Sequence, residues 1–297
     1  MPGNRVRKAL IPAAGRGTRF LPLTKAVPKE LAPIVTTPAL ELVVAEAAGN
    51  EITDVLLVVS PGKAAIAEYF APSPDLEAAL EAKGDTDGLA AVRRPTELAA
   101  FDYVEQKDPR GLGHAVGHGE DFAAGEAVAV LLPDDLIDDR DALLGPMLDV
   151  HAEHGGIVLG LIDVPRQDIR KYGCVVPAEG ADPHGDVVAI TDLVEKPDPD
   201  EAPSTLAIIG RYILPPEIFE ALRGTTEGSG GEIQLTDAMR ALCRAGTPVH
   251  GVVFRGRRYD TGDRLEYVKA VVQLAVRHPD IGADFRAWLR EYEPQAD

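Results

Sequence analysis

The chain is short of cysteine, of aromatic residues and of positive charge. Two cysteines, Cys174 and Cys243, occur in 297 residues, with no CxxC pair and no Cys/His cluster. That excludes a disulfide framework and argues against a structural zinc site. Aromatics make up 5% of the sequence, so the core must be aliphatic. There are 30 Lys and Arg against 48 Asp and Glu, a formal net charge of −18. General affinity for nucleic acid or an anionic membrane surface needs the opposite balance. No apolar run reaches the length of a membrane span, and the opening MPGNRVRKAL lacks the apolar core of a secretory signal. A reducing cytoplasm is the expected location.

What is present is the patterning of a globular α/β protein, with 45% apolar residues. Apolar runs at 9–11, 55–59, 128–132 and 156–162 lack strict alternation and read as buried strands. Helical stretches at 64–69 and 143–154 space them, the arrangement of a parallel sheet covered on both faces. Further runs at 174–177, 187–194 and 206–214 have no long helix between them and suggest an antiparallel excursion. Segments 216–222 and 233–244 read as helical, and 249–254 as a strand. Segments 263–277 and 282–291 are again helical, the second holding the one tryptophan, Trp288. The expected fold is therefore α/β, a mixed, mostly parallel central sheet with helices on both faces and a small antiparallel excursion. One main domain over 1–262 carries a helical C-terminal extension over 263–297. Residues 75–96 read as a polar surface insertion, and 197–203 and 224–231 as loops.

Against the acidic background, one segment reverses sign. Arg16, Arg19, Lys25 and Lys29 fall within a stretch that follows the first strand and is punctuated by Pro22, Pro28, Pro33 and Pro38. Such a cluster suits a polyanion such as a triphosphate. The turn Gly15-Arg16-Gly17-Thr18-Arg19 is not a dinucleotide fingerprint, because the third glycine position holds Phe20, and it lacks the Lys-Ser/Thr of a P-loop. Its glycines still let backbone N–H groups approach phosphate oxygens. The prolines resist a long helix, so the segment is expected to drape over a ligand as an extended lid, with Arg19 and Lys29 toward charge. The competing reading, a solvated turn, is set aside because strand, arginine and lysines agree.

Two carboxylates stand out. Asp134 follows an apolar strand, at the end where ligand sites of open α/β sheets lie, and Asp260 sits at a strand–turn junction. A hard cation such as Mg²⁺ takes one or two carboxylates plus substrate phosphates. Taken alone, Asp134 reads equally well as a helix N-cap and Asp260 as a turn residue. Asp135, Asp138 and Asp139 are expected to be solvated. Gln106, just before Gly111-Leu112-Gly113, has an amide able both to donate to and to accept from a base edge, although a surface glutamine is as ordinary. Glu195-Lys196-Pro197 ends a strand and suits sugar hydroxyls and a phosphate, or simply a loop-entry ion pair.

Gly15-Arg16-Gly17-Thr18-Arg19 followed by Pro28-Lys29-Glu30-Leu31 resembles the signature of sugar-nucleotide pyrophosphorylases. The resemblance is nearest to the bacterial UTP–glucose-1-phosphate uridylyltransferases. It continues through Leu132-Pro133-Asp134, Lys171-Tyr172-Gly173, Val194-Glu195-Lys196-Pro197, the run from Gly231 to Ala238, and Tyr259-Asp260-Thr261-Gly262. Order and spacing together are specific where each motif alone is weak. Two departures, Ala32 and Thr36-Thr37, lie beside the loop and not among its charges. The resemblance implies a Rossmann-like nucleotidyltransferase fold that takes UTP and glucose 1-phosphate to UDP-glucose and pyrophosphate, with Mg²⁺ on Asp134 and Asp260. It assigns the nucleotide to Ala13, Ala14, Gly15, Gly17, Glu30, Gln106 and Gly111. Gly173 and Glu195 would meet the glucose, and Lys196 the sugar phosphate. Arg19 and Lys29 would hold the leaving pyrophosphate, with Lys25 assisting. His114 receives no acid–base role, because the attacking phosphate is already an anion. A homo-oligomer, dimer or tetramer, is expected. Rivals are a thymidylyltransferase using dTTP, a non-catalytic sugar-nucleotide-binding subunit and, more remotely, a nicotinamide oxidoreductase.

Overall fold

A computed structural model of the chain describes residues 5–182, 185–228 and 231–292. Residues 229 and 230 of the loop read at 224–231 lie outside the described residues, as do 1–4 and the last five positions of the C-terminal extension. The strands among the described residues are β1 (Lys8–Pro12), β2 (Pro33–Ile34), β3 (Thr37–Pro38), β4 (Asp54–Val59), β5 (Ala100–Glu105), β6 (Val128–Leu131) and β7 (Asp135–Ile137). They continue with β8 (Ile157–Asp163), β9 (Gly173–Pro177), β10 (Val187–Glu195), β11 (Leu206–Leu214), β12 (Val249–Val253) and β13 (Arg258–Asp260).

Nine strands form one sheet in the order β5-β4-β1-β6-β11-β8-β12-β10-β9. The pairs β1–β4, β1–β6, β4–β5 and β8–β12 are parallel. β11 lies antiparallel to β6 and β8, and β10 to β12 and β9. The sheet is mixed, as the runs suggest, with a larger antiparallel share than a small excursion. The reason is β11, a mostly apolar strand buried along its whole length, Arg211 included. Continuity of apolar residues reports burial on both faces, not strand direction.

Alternation along β1 shows the two layers. Ala9 and Ile11 join a core with Leu40, Val43, Leu144 and Met147, while Leu10 joins the opposite core with Val116, Ile218, Leu235 and Met239. Helices Ala39–Gly49 and Leu144–His154 cover the first face, and Leu112–Gly117, Glu217–Gly224 and Leu235–Arg244 the second. The insertion is a pair of helices, Pro74–Lys83 and Thr86–Glu97, whose one buried residue is Pro95. Cys174 is buried and Cys243 half-buried.

The proline-rich segment is not extended. It folds into three short 3-10 turns, Thr18–Phe20, Leu23–Lys25 and Lys29–Leu31. Prolines break the helix without preventing single turns, because each turn needs few backbone N–H donors. Beside it, Thr37 pairs with Ile34 across β2–β3, and Ala32 is buried. The helix Arg264–Ala275 braces this segment. Asp263 caps it by accepting from the N–H groups of Leu265 and Glu266. Tyr267 Oη donates to Pro33 O at 2.8 Å, and its ring meets Phe20 edge-on at 5.5 Å. Ala270 enters the main core, whereas Leu265 and Val268 are exposed.

Candidate active site

The chemistry-bearing residues gather where strands end. The glycine loop follows β1, Lys63 follows β4, Gln106 follows β5, Asp134 follows β6, Glu195 and Lys196 end β10, and Asp260 ends β13. Two adjoining clefts result. The larger, about 980 Å³, is walled in part by Arg19, Asp134, Gly173, Glu195, Lys196 and Asp260. The smaller, about 480 Å³, is walled in part by Ala14, Gly15, Arg16, Gln106 and Gly111. Leu112 and Glu232 belong to both walls.

The loop is shaped by close contacts behind it. Gly17 has φ 62°, and a Cβ there would lie 3.0 Å from Thr24 Cγ2 and 3.3 Å from Lys29 Cβ, so a side chain would be both strained and crowded. Lys63, which drew no attention in the sequence, is the internal strap. Its Nζ donates to Ala13 O at 2.6 Å, Gly15 O at 2.7 Å and Glu30 Oε2 at 2.8 Å. Burial pulls the Lys63 ammonium below its ordinary pKa, against the attraction of Glu30. Ala13, Gly17 and Glu30 therefore stand behind the loop and wall neither cleft. Glu30 is buried, and its second oxygen, Oε1, has no protein partner. Lys25 is exposed on the second turn and lines neither cleft.

The acid pair lies on the wall of the larger cleft. Thr261 N–H and Oγ1 both donate to Asp134 O, at 2.7 and 3.0 Å, tying the end of β13 to the end of β6. Asp134 Oδ2 and Asp260 Oδ1 face one spot: a Cβ added at Gly262 would lie 2.7 and 3.1 Å from them. Lys29 Nζ sits 2.5 Å from Asp134 Oδ2, and Arg19 Nη1 donates to Gly262 O at 3.3 Å. Burial raises the Asp134 pKa, but Lys29 outweighs it and holds the carboxyl below its usual value. For Lys29, burial lowers the pKa and Asp134 outweighs it, leaving the ammonium raised. Asp260 is pushed up by burial, opposed by Arg258 and reinforced by Asp134 and Asp135.

The neighbouring aspartates overturn an expectation. Asp135 and Asp138 are buried, not solvated. Asp135 accepts from Gly210 N–H at 2.6 Å and pairs with Arg258 at 2.6 Å. Asp138 takes Arg140 at 2.7 and 2.9 Å, Tyr259 Oη at 2.9 Å and Arg277 at 3.2 Å. Asp139 alone is exposed, paired with Arg277. Beneath them Arg211 is fully buried, its guanidinium 2.6 Å from Glu46 Oε2.

At the far end of the larger cleft, Glu195 Oε2 accepts from Thr236 Oγ1 at 2.7 Å while Glu195 Oε1 pairs with Lys196 at 3.0 Å. A Cβ at Gly173 would lie 3.3 Å from both Glu195 Oε2 and Thr236 Oγ1, so these groups share one corner. Lys196 is half-exposed and adopts φ 43°. Thr236 lies within the motif from Gly231 to Ala238, and nothing in its identity alone separates it from an ordinary helix-start threonine. At the smaller cleft, Gln106 is buried and its Nε2 lies 2.7 Å from His114 Nδ1. Gly111 has φ 98°, and a Cβ would come within 2.8 Å of Glu232 Cβ and 2.9 Å of Ile233 O, which excludes any side chain.

With this geometry, the model of the nucleotidyl transferase family matches residues 8–276. The chain belongs to that family. The transferase is 43% identical over 287 residues to a UTP–glucose-1-phosphate uridylyltransferase, YngB, of Bacillus subtilis, covering 97% of this chain and 95% of the relative. It superposes on a UTP-bound UGPase from Acinetobacter baumannii with a TM-score of 0.88 at 36% identity, over 97% of this chain and all of that one. A UDP-glucose pyrophosphorylase complexed with UDP-glucose gives 0.83 at 36% identity, over 92% of this transferase and all of that chain.

Proposed function

We propose that this chain transfers the uridylyl group of UTP to glucose 1-phosphate, giving UDP-glucose and pyrophosphate. The observation that carries the proposal is the gathering of these groups on two adjoining clefts. A buried amide and the glycine loop wall the smaller, and an arginine, two converging carboxylates and the Glu195–Lys196 corner wall the larger. Relatives named for this activity, spanning nearly the whole chain, support it.

Both reactants are anionic, so repulsion is the main obstacle. An oxygen of glucose 1-phosphate forms a bond to the UTP α-phosphorus while the bond to the departing pyrophosphate breaks in line. No general base is needed, since the nucleophile carries no proton to remove. Lys196 holds the sugar phosphate, with Glu195 and the Gly173 backbone at the sugar hydroxyls. Arg19 and Lys29 take the pyrophosphate, and Gln106 and Gly111 read uracil. Ala14 and Gly15 offer backbone donors to the phosphates, while Ala13, Gly17 and Glu30 shape the loop from behind.

The shared spot beside Gly262 suits a small hard cation, because two carboxylate oxygens face it and leave the remaining positions to phosphates. Asp134 and Asp260 would hold Mg²⁺, which supplies positive charge to phosphate oxygens when bound. Lys29, now seated on Asp134, must then turn to the phosphates.

We also read 1–262 as the catalytic domain with a helical extension over 263–297. The assembly is a homo-oligomer, dimer or tetramer, working in the cytoplasm. Among the described residues no helix is long and apolar enough to cross a membrane. A nucleotide-by-sugar panel with Mg²⁺, scored by pyrophosphate release, tests the function. UTP with glucose 1-phosphate should be best. A clear dTTP preference would favour the thymidylyl reaction, and no release from any pair would favour a non-catalytic binding protein.

A further inference from the structure

Lys63 commits every donor it has to the protein. An ammonium carries three N–H bonds, and Nζ meets three acceptors, Ala13 O, Gly15 O and Glu30 Oε2, at 2.6, 2.7 and 2.8 Å. None is left for a ligand, and Lys63 walls neither cleft. Its backbone N–H donates to Ser60 O at 3.2 Å, at the start of helix Ala64–Tyr69. Two of the three acceptors are peptide carbonyls of the glycine loop, both in trans peptides. In a trans peptide the N–H points opposite to the C=O. Drawing Ala13 O and Gly15 O toward Nζ therefore turns the N–H groups of Ala14 and Arg16 away from it. Those two residues wall the smaller cleft, and neither N–H has a hydrogen-bond acceptor among the described residues. Ala13 is held on its other side too, because its N–H donates to Val58 O at 2.7 Å.

We propose that Lys63 is a positioning residue for the nucleotide. It holds two peptide planes of the glycine loop so that the Ala14 and Arg16 N–H groups face oxygens of UTP. The inference rests on the reading of this cleft as part of the UTP site. A loop free to flip would turn carbonyl oxygens toward the nucleotide's own oxygens, like partial charge against like. Lys63 opposes that arrangement, because turning either carbonyl into the cleft strands an ammonium N–H in a largely buried place. Glu30 has a separate part. Its carboxylate balances the ammonium, so the charge pair serves the fold and the two carbonyl bonds serve the nucleotide.

Lys63→Met keeps the apolar stem and removes all three donors. Alone it leaves the buried Glu30 carboxylate unpaired, so it is made on a Glu30→Gln background, with Glu30→Gln itself as the reference. Against that reference the double variant should raise the Kd and KM for UTP roughly 10-fold. Its kcat should change little, and its KM for glucose 1-phosphate at saturating UTP should be unchanged. In ¹⁵N-labelled wild-type protein, UTP should shift the amide signals of Ala14 and Arg16, a measurement that stands whether or not the variants fold. An unchanged Kd for UTP in the double variant, both KM values rising together, or Ala14 and Arg16 signals that do not respond to UTP would overturn the role of Lys63 alone. If wild-type protein neither binds UTP nor releases pyrophosphate, the reading of the cleft fails and the inference falls with it.

Discussion

Asp134 and Asp135 are consecutive residues with opposite surroundings, and Asp260 and Asp138 repeat the contrast. Along the start of β7 successive side chains point to opposite sides. Asp135 turns inward to Arg258 and the Gly210 N–H, and Asp138 is enclosed by Arg140, Tyr259 and Arg277. Asp134 and Asp260 turn toward the Gly262 spot, with Lys29 seated on Asp134. The inner pair is met by arginines and fixed donors, and it ties the region of β7 to β13 and to Arg277, just past helix Arg264–Ala275. The outer pair is more lightly held: Asp260 accepts from the Gly262 N–H at 3.0 Å, and burial pushes its pKa up. Lysine at Asp134 is a partner that can leave, whereas arginine forks around Asp138 are not.

The comparison can be broken by substitution. The largest effect is expected at Asp260→Ala, where turnover should fall by on the order of 10²–10³ while the unfolding transition stays near that of the wild type. Asp138→Ala should do the reverse. Removing the carboxylate strands buried donors, so stability in urea should fall by roughly 2–3 kcal/mol, with kcat in the folded fraction little changed.

A subtler effect is the pH dependence of the ligand-free enzyme. The folded Asp134 pKa lies below the unfolded value of about 3.9. The stability it contributes is complete above that value and is lost as pH falls through the folded one. Asp134→Asn should flatten that acid limb in thermal unfolding. Asp260 has the opposite sign. Its raised pKa means that its ionised form costs stability, so Asp260→Asn should unfold at a slightly higher temperature near pH 7. The smallest effect is expected at Thr236→Val. It removes one hydrogen bond to Glu195, worth roughly 0.5–1.5 kcal/mol, and should raise the KM for glucose 1-phosphate by no more than about tenfold, leaving that for UTP unchanged.

How much was legible in the sequence follows the same line. Strands such as Lys8–Pro12 and Leu206–Leu214 were readable because burial on both faces leaves a run that is mostly apolar. β5, AFDYVE, was not, because an edge strand half in solvent carries no such run. Asp134, Lys29, Glu195 and Lys196 could be named from motif and local charge. Lys63 could not, since its partners are backbone carbonyls of a loop far away in sequence, and carbonyls have no sequence signature. The burial of Asp138 was hidden for a similar reason. Its partners Tyr259 and Arg277 arrive from the far end of the chain, and an acidic run viewed alone looks like a solvated face. The contact between Gln106 and His114 likewise appears only once the two are placed together.

The central claim is that Asp134 serves the reaction while its buried neighbours serve the fold. Pyrophosphate release from UTP and glucose 1-phosphate with Mg²⁺ should be measured for Asp134→Asn, and its unfolding midpoint taken on the same sample. The expected result is a turnover lower by on the order of 10²–10³, with a midpoint closer to wild type than that of Asp138→Ala. Near-wild-type turnover by Asp134→Asn would contradict the account.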